Sequence, residues 1–181
     1  LNHEVWKLFD TGKVNLEYYA WYLWHQRYRY ERLEEYEKEL GVFEEFPELE
    51  RYSIIRDDFE EIWKVQLNNR YMPNVVEMPA TDFQKHLKEI FEDDEQDSSQ
   101  ILASLYAVVL TDIVIGTKLS TPMPGTGKTY KFNGNIEDLK NRIETKLENS
   151  STSMHDEILA AFDNSFYLLD TIWKWSEVSK F

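Results

Sequence analysis

The stretch that decides the fold is ILASLYAVVLTDIVIGTKL, residues Ile101–Leu119. It is the most apolar segment of an otherwise acidic chain, it is too long for a typical strand, and it lacks the residues that punctuate strands. We therefore predict a central helix that is buried on nearly all sides. Thr111 and Asp112 lie in its middle, and a buried helix must satisfy such polar groups within a pocket or a network.

Composition limits the class of protein. With 181 residues, 42 % of them apolar and 15 % aromatic, the chain is long and apolar enough for one folded domain, which we place over residues 1–181. The net charge of -14 repels phosphate, so nucleic acid or an anionic membrane would need a local basic patch. The absence of cysteine excludes disulfides and thiolate chemistry. The apolar run falls short of the roughly 18–20 residues of a membrane span, so we expect a soluble protein.

Apolar residues recur at helical spacing along most of the chain, and strand-like alternation is hard to find. We therefore predict an all-α, single-domain fold. The predicted helices are Val14–Leu40, which Gly41 ends, Pro47 to about Leu67, Thr81–Phe91, the central helix, Asn135–Leu147 and Met154–Trp175.

Two short motifs suggest binding sites. PMPGTGKT, Pro122–Thr129, resembles a phosphate-binding loop, but Pro122 stands where the first glycine is needed, so we interpret it as a plain loop. The run WYLWHQRYRYERL contains Arg27, Arg29 and Arg32 among aromatic residues, and is the best local candidate for an anionic partner. The alternative is one helix with an aromatic core face, whose arginines pair with neighbouring acids.

No catalytic or metal-binding constellation is evident. The four histidines are scattered and show no metal-ligand spacing, and the acidic run from Glu92 to Asp97 lacks the glycine of a calcium loop. From the residues alone, the chain is an acidic helical domain without a self-evident active site.

The chain resembles the heme oxygenases, particularly their plastid-type branch, over nearly its whole length. Four stretches carry the resemblance, and they follow in the family's order and spacing. They are LFDTGKVNLEYYAWYLWHQRYRYERLEEY, FPELERYSIIRDDFEEIW, YKFNGNIEDLKNRIETKLENSS and AAFDNSFYLLDTI.

The resemblance implies an all-α fold that clamps heme between a proximal helix and a glycine-kinked distal helix. A proximal histidine would bind the iron, and distal glycines would let the backbone approach the heme face. A distal hydrogen-bond network would support activated oxygen during cleavage to biliverdin, and basic residues would pair with the heme propionates.

The matching positions depart from this pattern along the distal helix. The glycine pair falls on Thr111 and Asp112, whose side chains would then project toward the heme, and the distal Asp or His falls on Val108. Ile115 stands beside them as a vestigial pocket position. A propionate-binding arginine falls on Glu144, which reverses the charge.

The proximal histidine should precede Gly12 by more than a dozen residues, which places it upstream of Leu1. His3 is too close to Gly12 to be its counterpart. We expect that a targeting segment also precedes Leu1.

The leading hypothesis is therefore a heme oxygenase-like pseudoenzyme without a cofactor. It would act as a binding or scaffold protein for a protein partner or an organellar assembly, in a plastid or a plastid-derived organelle such as the apicoplast. We expect no membrane association, and the net charge disfavours nucleic acid. Burial of Asp112 against an anionic tetrapyrrole would be costly; the alternative is that Asp112 faces a neighbouring helix and leaves the pocket partly usable.

Two other hypotheses remain open. The first is an active, divergent heme oxygenase that converts heme to biliverdin, with its proximal histidine upstream of Leu1. The second is a related helical fold of the thiamin-salvage type, but that chemistry usually needs a cysteine nucleophile, which this chain lacks.

Overall fold

The structure, a computed structural model, describes residues 15–68, 79–92, 98–118, 123–149 and 154–178. Within these ranges all regular structure is helical, which confirms the predicted fold class. The elements are α1 (Leu16–Glu39), α2 (Val42–Glu45), a 3₁₀ turn (Pro47–Leu49), α3 (Tyr52–Glu60) with a π-helical turn after it (Glu61–Gln66), α4 (Pro79–Phe91), α5 (Ser98–Lys118), α6 (Ile136–Glu148) and α7 (His155–Val178).

Helix α1 begins and ends where its local sequence directs. The side chain of Asn15 accepts a hydrogen bond from the Glu17 amide at the N-terminus. Gly41 follows the last turn with φ of 74°, a left-handed conformation that side chains disfavour. The predicted helix Val14–Leu40 is confirmed over Leu16–Glu39, with Asn15 and Leu40 as its caps; Val14 lies outside the described residues.

Helix α3 begins later than predicted. Pro47 opens only the 3₁₀ turn, so the prediction of one helix from Pro47 to about Leu67 is wrong. The cause is a contact from another helix, since the Glu34 carboxylate of α1 accepts hydrogen bonds from the amides of Arg51 and Tyr52. This carboxylate satisfies two of the free amides at the start of α3, where the N-cap residue Arg51 makes no side-chain capping bond.

The core forms where α5 meets α7, α1, α4 and α6. Residues 101–109 of α5 are all buried, as predicted for the central helix. By length and composition the window Ser99–Thr117 could cross a membrane, with mean hydropathy of 1.7, so our statement that the apolar run is too short is wrong. However, 72 % of this window is buried inside the protein, as expected for a core helix.

The described part of the PMPGTGKT segment is a loop that two side chains hold in place. They are Arg51, at the start of α3, and Asp58, within α3. The buried Asp58 carboxylate accepts hydrogen bonds from the Thr129 amide at 2.7 Å, from the Thr129 hydroxyl at 2.6 Å, and from the Thr126 hydroxyl. The Arg51 guanidinium donates to the carbonyl oxygens of residues 128, 129 and 131. A buried carboxylate at its centre makes this loop unsuited to phosphate, in agreement with our interpretation.

Candidate functional site

A groove with a volume of about 430 Å³ lies between α5 and α7. This volume is within the range of small-molecule pockets, which is about 300–1,000 Å³. Helical spacing places its wall residues on facing sides of the two helices. They are Leu110, Thr111 and Val114 of α5, and Leu159, Phe162, Asp163, Ser165, Phe166 and Leu169 of α7.

The groove is apolar, and its few polar groups are mostly satisfied. The Thr111 hydroxyl donates to the Ala107 carbonyl at 2.9 Å, and the Ser165 hydroxyl donates to the Ala161 carbonyl at 2.9 Å. Asp163 carries the one charge in this wall. Residues 99–117 and 155–170 include no lysine or arginine. The described wall therefore has negative but no positive charge.

A buried polar network lies behind the groove, between α5 and α1. The Asp112 carboxylate accepts a hydrogen bond from the Tyr30 hydroxyl at 2.6 Å and another from the Gln26 amide at 3.2 Å. The Gln26 amide also donates to the Tyr22 hydroxyl at 2.6 Å. All four side chains are at most 1 % exposed. The network gives Asp112 the partners that a buried carboxylate requires.

Arg29 links this network to the groove. Its guanidinium donates to the side-chain Oε1 of Gln26 at 3.0 Å, to the Ser165 hydroxyl at 2.6 Å and to the Ala161 backbone carbonyl at 3.4 Å. It also lies over the Phe83 ring of α4, 4.9 Å from the ring centre. Because Ser165 is part of the groove wall, the chain of hydrogen bonds extends from the groove to Asp112.

Burial controls the charges in the network. It raises the pKa of Asp112 to about 6, although the hydrogen bond from Tyr30 and the charges of Arg29 and Arg51 act in the opposite direction. Burial also lowers the pKa of Arg29 and raises the pKa of the Tyr30 hydroxyl. Gln26 connects Asp112 to Arg29, the cation that favours the ionised form of this carboxyl group.

The structure brings few of the predicted pocket positions to the groove. Thr111 lines it, but Asp112 is turned toward α1, so our expectation that its side chain projects into the pocket is wrong. Val108 and Ile115 are buried in the core and are not part of the groove wall. Glu144 lies exposed on α6 and accepts a hydrogen bond from the Tyr106 hydroxyl at 2.7 Å.

Sequence reasoning missed several residues that matter here, namely Val114, Phe162 and Ser165 in the groove and Gln26 and Tyr30 in the network. A usable signal existed for the last two. Gln26, Arg29 and Tyr30 are three and four residues apart, which puts polar groups on one face of a helix whose neighbours are aromatic.

Gly116, the glycine of α5, serves a different contact. A Cβ at this position would stand 2.5 Å from the Tyr130 carbonyl oxygen and 3.2 Å from the Tyr130 Cβ. Only glycine therefore allows α5 to approach the loop this closely. The space at Gly116 is filled by the protein's own backbone.

The predicted anionic-partner face does not form. Arg29 is fully buried, so it is not part of any surface. Arg27 packs over the Tyr28 and Phe59 rings, and Arg32 pairs with Glu35 at 2.5 Å. The alternative, an aromatic core face whose arginines pair with neighbouring acids, holds for Arg32, whereas Arg29 donates to neutral groups and Arg27 packs on aromatic rings.

Comparison with known proteins identifies the architecture. No protein-family model matches this chain, and no curated protein matches it. The chain is similar to the solved structure of heme oxygenase from Leptospira interrogans, with a TM-score of 0.66 over 92 % of this chain and 86 % of that one. The fold is heme oxygenase-like. Because the sequence identity is 23 %, the likeness shows the fold alone.

Proposed function

We propose that this chain is a non-catalytic heme oxygenase-like protein whose groove between α5 and α7 binds a partner instead of heme. The observation that carries the proposal is the use of glycine in α5. The resemblance implies glycines that let the helix backbone approach heme. At Gly116, however, the group that lies close against the helix backbone is the Tyr130 carbonyl of the protein itself. Facing the groove, α5 presents the side chains of Leu110, Thr111 and Val114.

The charges of the described residues also do not fit heme. The two propionates need cations, yet the groove wall carries only Asp163. On α6, Lys140 pairs with Glu137 and Lys146 with Glu45. Arg142 pairs with Asp138 and Glu48 on the same surface. These three cations are therefore already paired with acids of this chain, and the described groove wall adds no cation for a dianion.

One observation favours an active heme oxygenase as the second candidate. The resemblance places a distal acid three residues before the first glycine of the pair. If that pair corresponds to Ile115 and Gly116, this acid is Asp112, which is held by the buried network from Tyr30 to Arg29. The iron ligand would then come from outside the described residues.

A reconstitution experiment separates the two candidates. The natural full-length protein is mixed with hemin, passed through a gel-filtration column, and supplied with a reductant and oxygen. The non-catalytic proposal predicts that heme is not retained in stoichiometric amount and that no biliverdin forms. Biliverdin that appears with the natural protein and disappears with Asp112→Asn would establish the second candidate.

A plastid-type location and a protein partner also belong to this proposal. The resemblance to the plastid-type branch supports the location, and the acidic, cation-free groove wall supports a protein over a nucleic acid. Imaging of the tagged full-length precursor tests the location, since a uniform cytosolic signal would exclude it.

A further inference from the structure

Helix α7 carries an exposed apolar stripe that consists of Leu159, Phe166 and Tyr167. These side chains are 47 %, 39 % and 42 % exposed, and they are seven and eight residues apart, which places them on one face over two helical turns. Among the described residues, the remaining large apolar side chain that is exposed is Val65, on the π-helical turn. Exposed apolar side chains are thus concentrated on α7, as at an interaction surface.

The stripe lies along two cavities. On one side is the groove with α5, whose wall includes Leu159 and Phe166. On the other side is a cleft of about 320 Å³ with α4, whose wall includes Asp82, Phe83 and Tyr167. Asp163 is part of both walls, between the two cavities.

The charge around the stripe determines which partner fits. Residues 155–170 of α7 contain Asp156, Glu157, Asp163 and Asp170 and no lysine or arginine. The cleft combines the carboxylates of Asp82 and Asp163 with the exposed ring of Tyr167, a setting that favours a lysine or arginine side chain. A second copy of this chain would place acid against acid, which disfavours self-association.

We infer that the α7 stripe docks a basic amphipathic helix of a partner protein. Apolar side chains of that helix enter the groove, and one of its lysine or arginine side chains enters the cleft beside Asp163. This is the recognition mode in which a helix lays its apolar face in a hydrophobic groove. The inference rests on the proposed function, because it needs a groove that heme does not fill.

The test uses two labelled helical peptides of about 18 residues, or about 27 Å. Both have leucine and phenylalanine at helical spacing; one has lysine on its flanks, and its twin has glutamate. By fluorescence anisotropy, we expect the basic peptide to bind the full-length protein at least about tenfold more tightly than the acidic twin. This difference should shrink at high salt.

Three variants locate the site. Phe166→Glu should weaken binding of the basic peptide by about tenfold or more, whereas Val65→Glu, at an exposed apolar position elsewhere on the surface, should leave it unchanged. Asp163→Lys should weaken binding of the basic peptide and strengthen binding of the acidic twin. All three positions lie at the surface, and circular dichroism verifies that each variant is folded.

Equal affinity for the two peptides would overturn the inference, as would a Phe166→Glu variant that binds like the natural protein. So would a dimer that Phe166→Glu dissociates, since a second copy would then cover the stripe. A hemin titration of the same preparation separates the two proposals. If the natural protein binds hemin saturably, the proposed function is refuted. If it binds neither hemin nor the basic peptide, only the docking surface is refuted.

Discussion

The Tyr30 hydroxyl of α1 donates a hydrogen bond of 2.6 Å to the Asp112 carboxylate of α5, and both side chains are at most 1 % exposed. This bond joins two helices whose residues are 82 positions apart. Together with Gln26 it makes a charged residue acceptable in the most apolar helix of the chain. The bond therefore stabilises the packing of α5 on α1, whether or not the groove takes heme.

Removal of this bond should be costly. Tyr30→Phe keeps the ring but leaves a buried carboxylate with one donor fewer, so we expect the free energy of unfolding to fall by about 1–3 kcal/mol. The pKa of Asp112 should rise further above its present value of about 6, because the Tyr30 bond now lowers it. Urea unfolding measures the stability change, and Tyr36→Phe is the control on the same helix. Equal effects of the two changes would show that the bond contributes nothing specific.

A buried acid predicts a dependence of stability on pH. Burial raises the pKa of Glu37 from 4.5 to about 8, and neither carboxylate oxygen has a hydrogen-bond partner among the described residues. The contribution of neutral Glu37 to the stability of the fold is fully present below pH 4.5, the pKa of the unfolded chain. This contribution is lost as the pH rises through about 8, where the folded protein must ionise Glu37. We therefore expect Glu37→Leu to raise the unfolding free energy, by about 1–3 kcal/mol from apolar burial.

The gain from Glu37→Leu should be larger at pH 8.5 than at pH 5, because the natural side chain must ionise at the higher pH. Thermal unfolding at the two pH values measures it. Glu39→Leu, two residues away and exposed, is the control and should change little. A gain that is the same at both pH values would contradict the burial of Glu37 as an acid.

The buried histidine His25 should make the protein less stable at acid pH, whereas Glu37 makes it less stable at alkaline pH. Burial and the charge of Arg29 lower the pKa of His25 to about 3, and its ring packs 4.0 Å from the Trp21 ring centre. The stability that neutral, buried His25 contributes is fully present above pH 6.5, the ordinary pKa of histidine. It is lost as the pH falls toward 3, because His25 in the unfolded chain gains its proton first. We expect His25→Phe to move acid unfolding, followed by tryptophan fluorescence, to a lower pH. The exposed His155→Phe should not move it, and equal shifts would refute the prediction.

The contact between α5 and the loop predicts a sensitive position. Gly116→Ala places a methyl group 2.5 Å from the Tyr130 carbonyl oxygen, so the loop must move, at a cost of about 1–3 kcal/mol. Chemical denaturation measures the loss, with Thr117→Ala as the exposed neighbour on the same helix. A Gly116→Ala variant as stable as the natural protein would mean that the space at Gly116 is free, and heme could then use it.

Local patterns were sufficient to predict the helices that local residues begin and end. Apolar spacing and Gly41 predicted α1. The helix predicted over Asn135–Leu147 is found as α6, whose start Asn135 caps by accepting hydrogen bonds from the amides of residues 137 and 138. Helix α3 was mispredicted because Glu34, from a different helix, caps it. No local pattern reports a carboxylate that arrives from elsewhere in the chain.

The candidate site was harder to predict, for the same reason. The resemblance predicted that α5 corresponds to the distal helix, but a helix seen in isolation does not reveal which neighbour each side chain faces. Asp112 points to Tyr30 and not to the groove, and Arg29 is buried because Ser165 and Ala161, more than 130 residues later in the chain, accept its hydrogen bonds. Both facts depend on tertiary packing.

The most direct test of the central claim is a hemin titration of the natural full-length protein, followed by absorbance in the Soret region. The side chains on α5, the acidic wall and the filled space at Gly116 predict a weak, non-saturating increase without a sharp Soret band. Saturable, stoichiometric binding with a sharp and shifted Soret band would contradict the claim and restore a heme oxygenase.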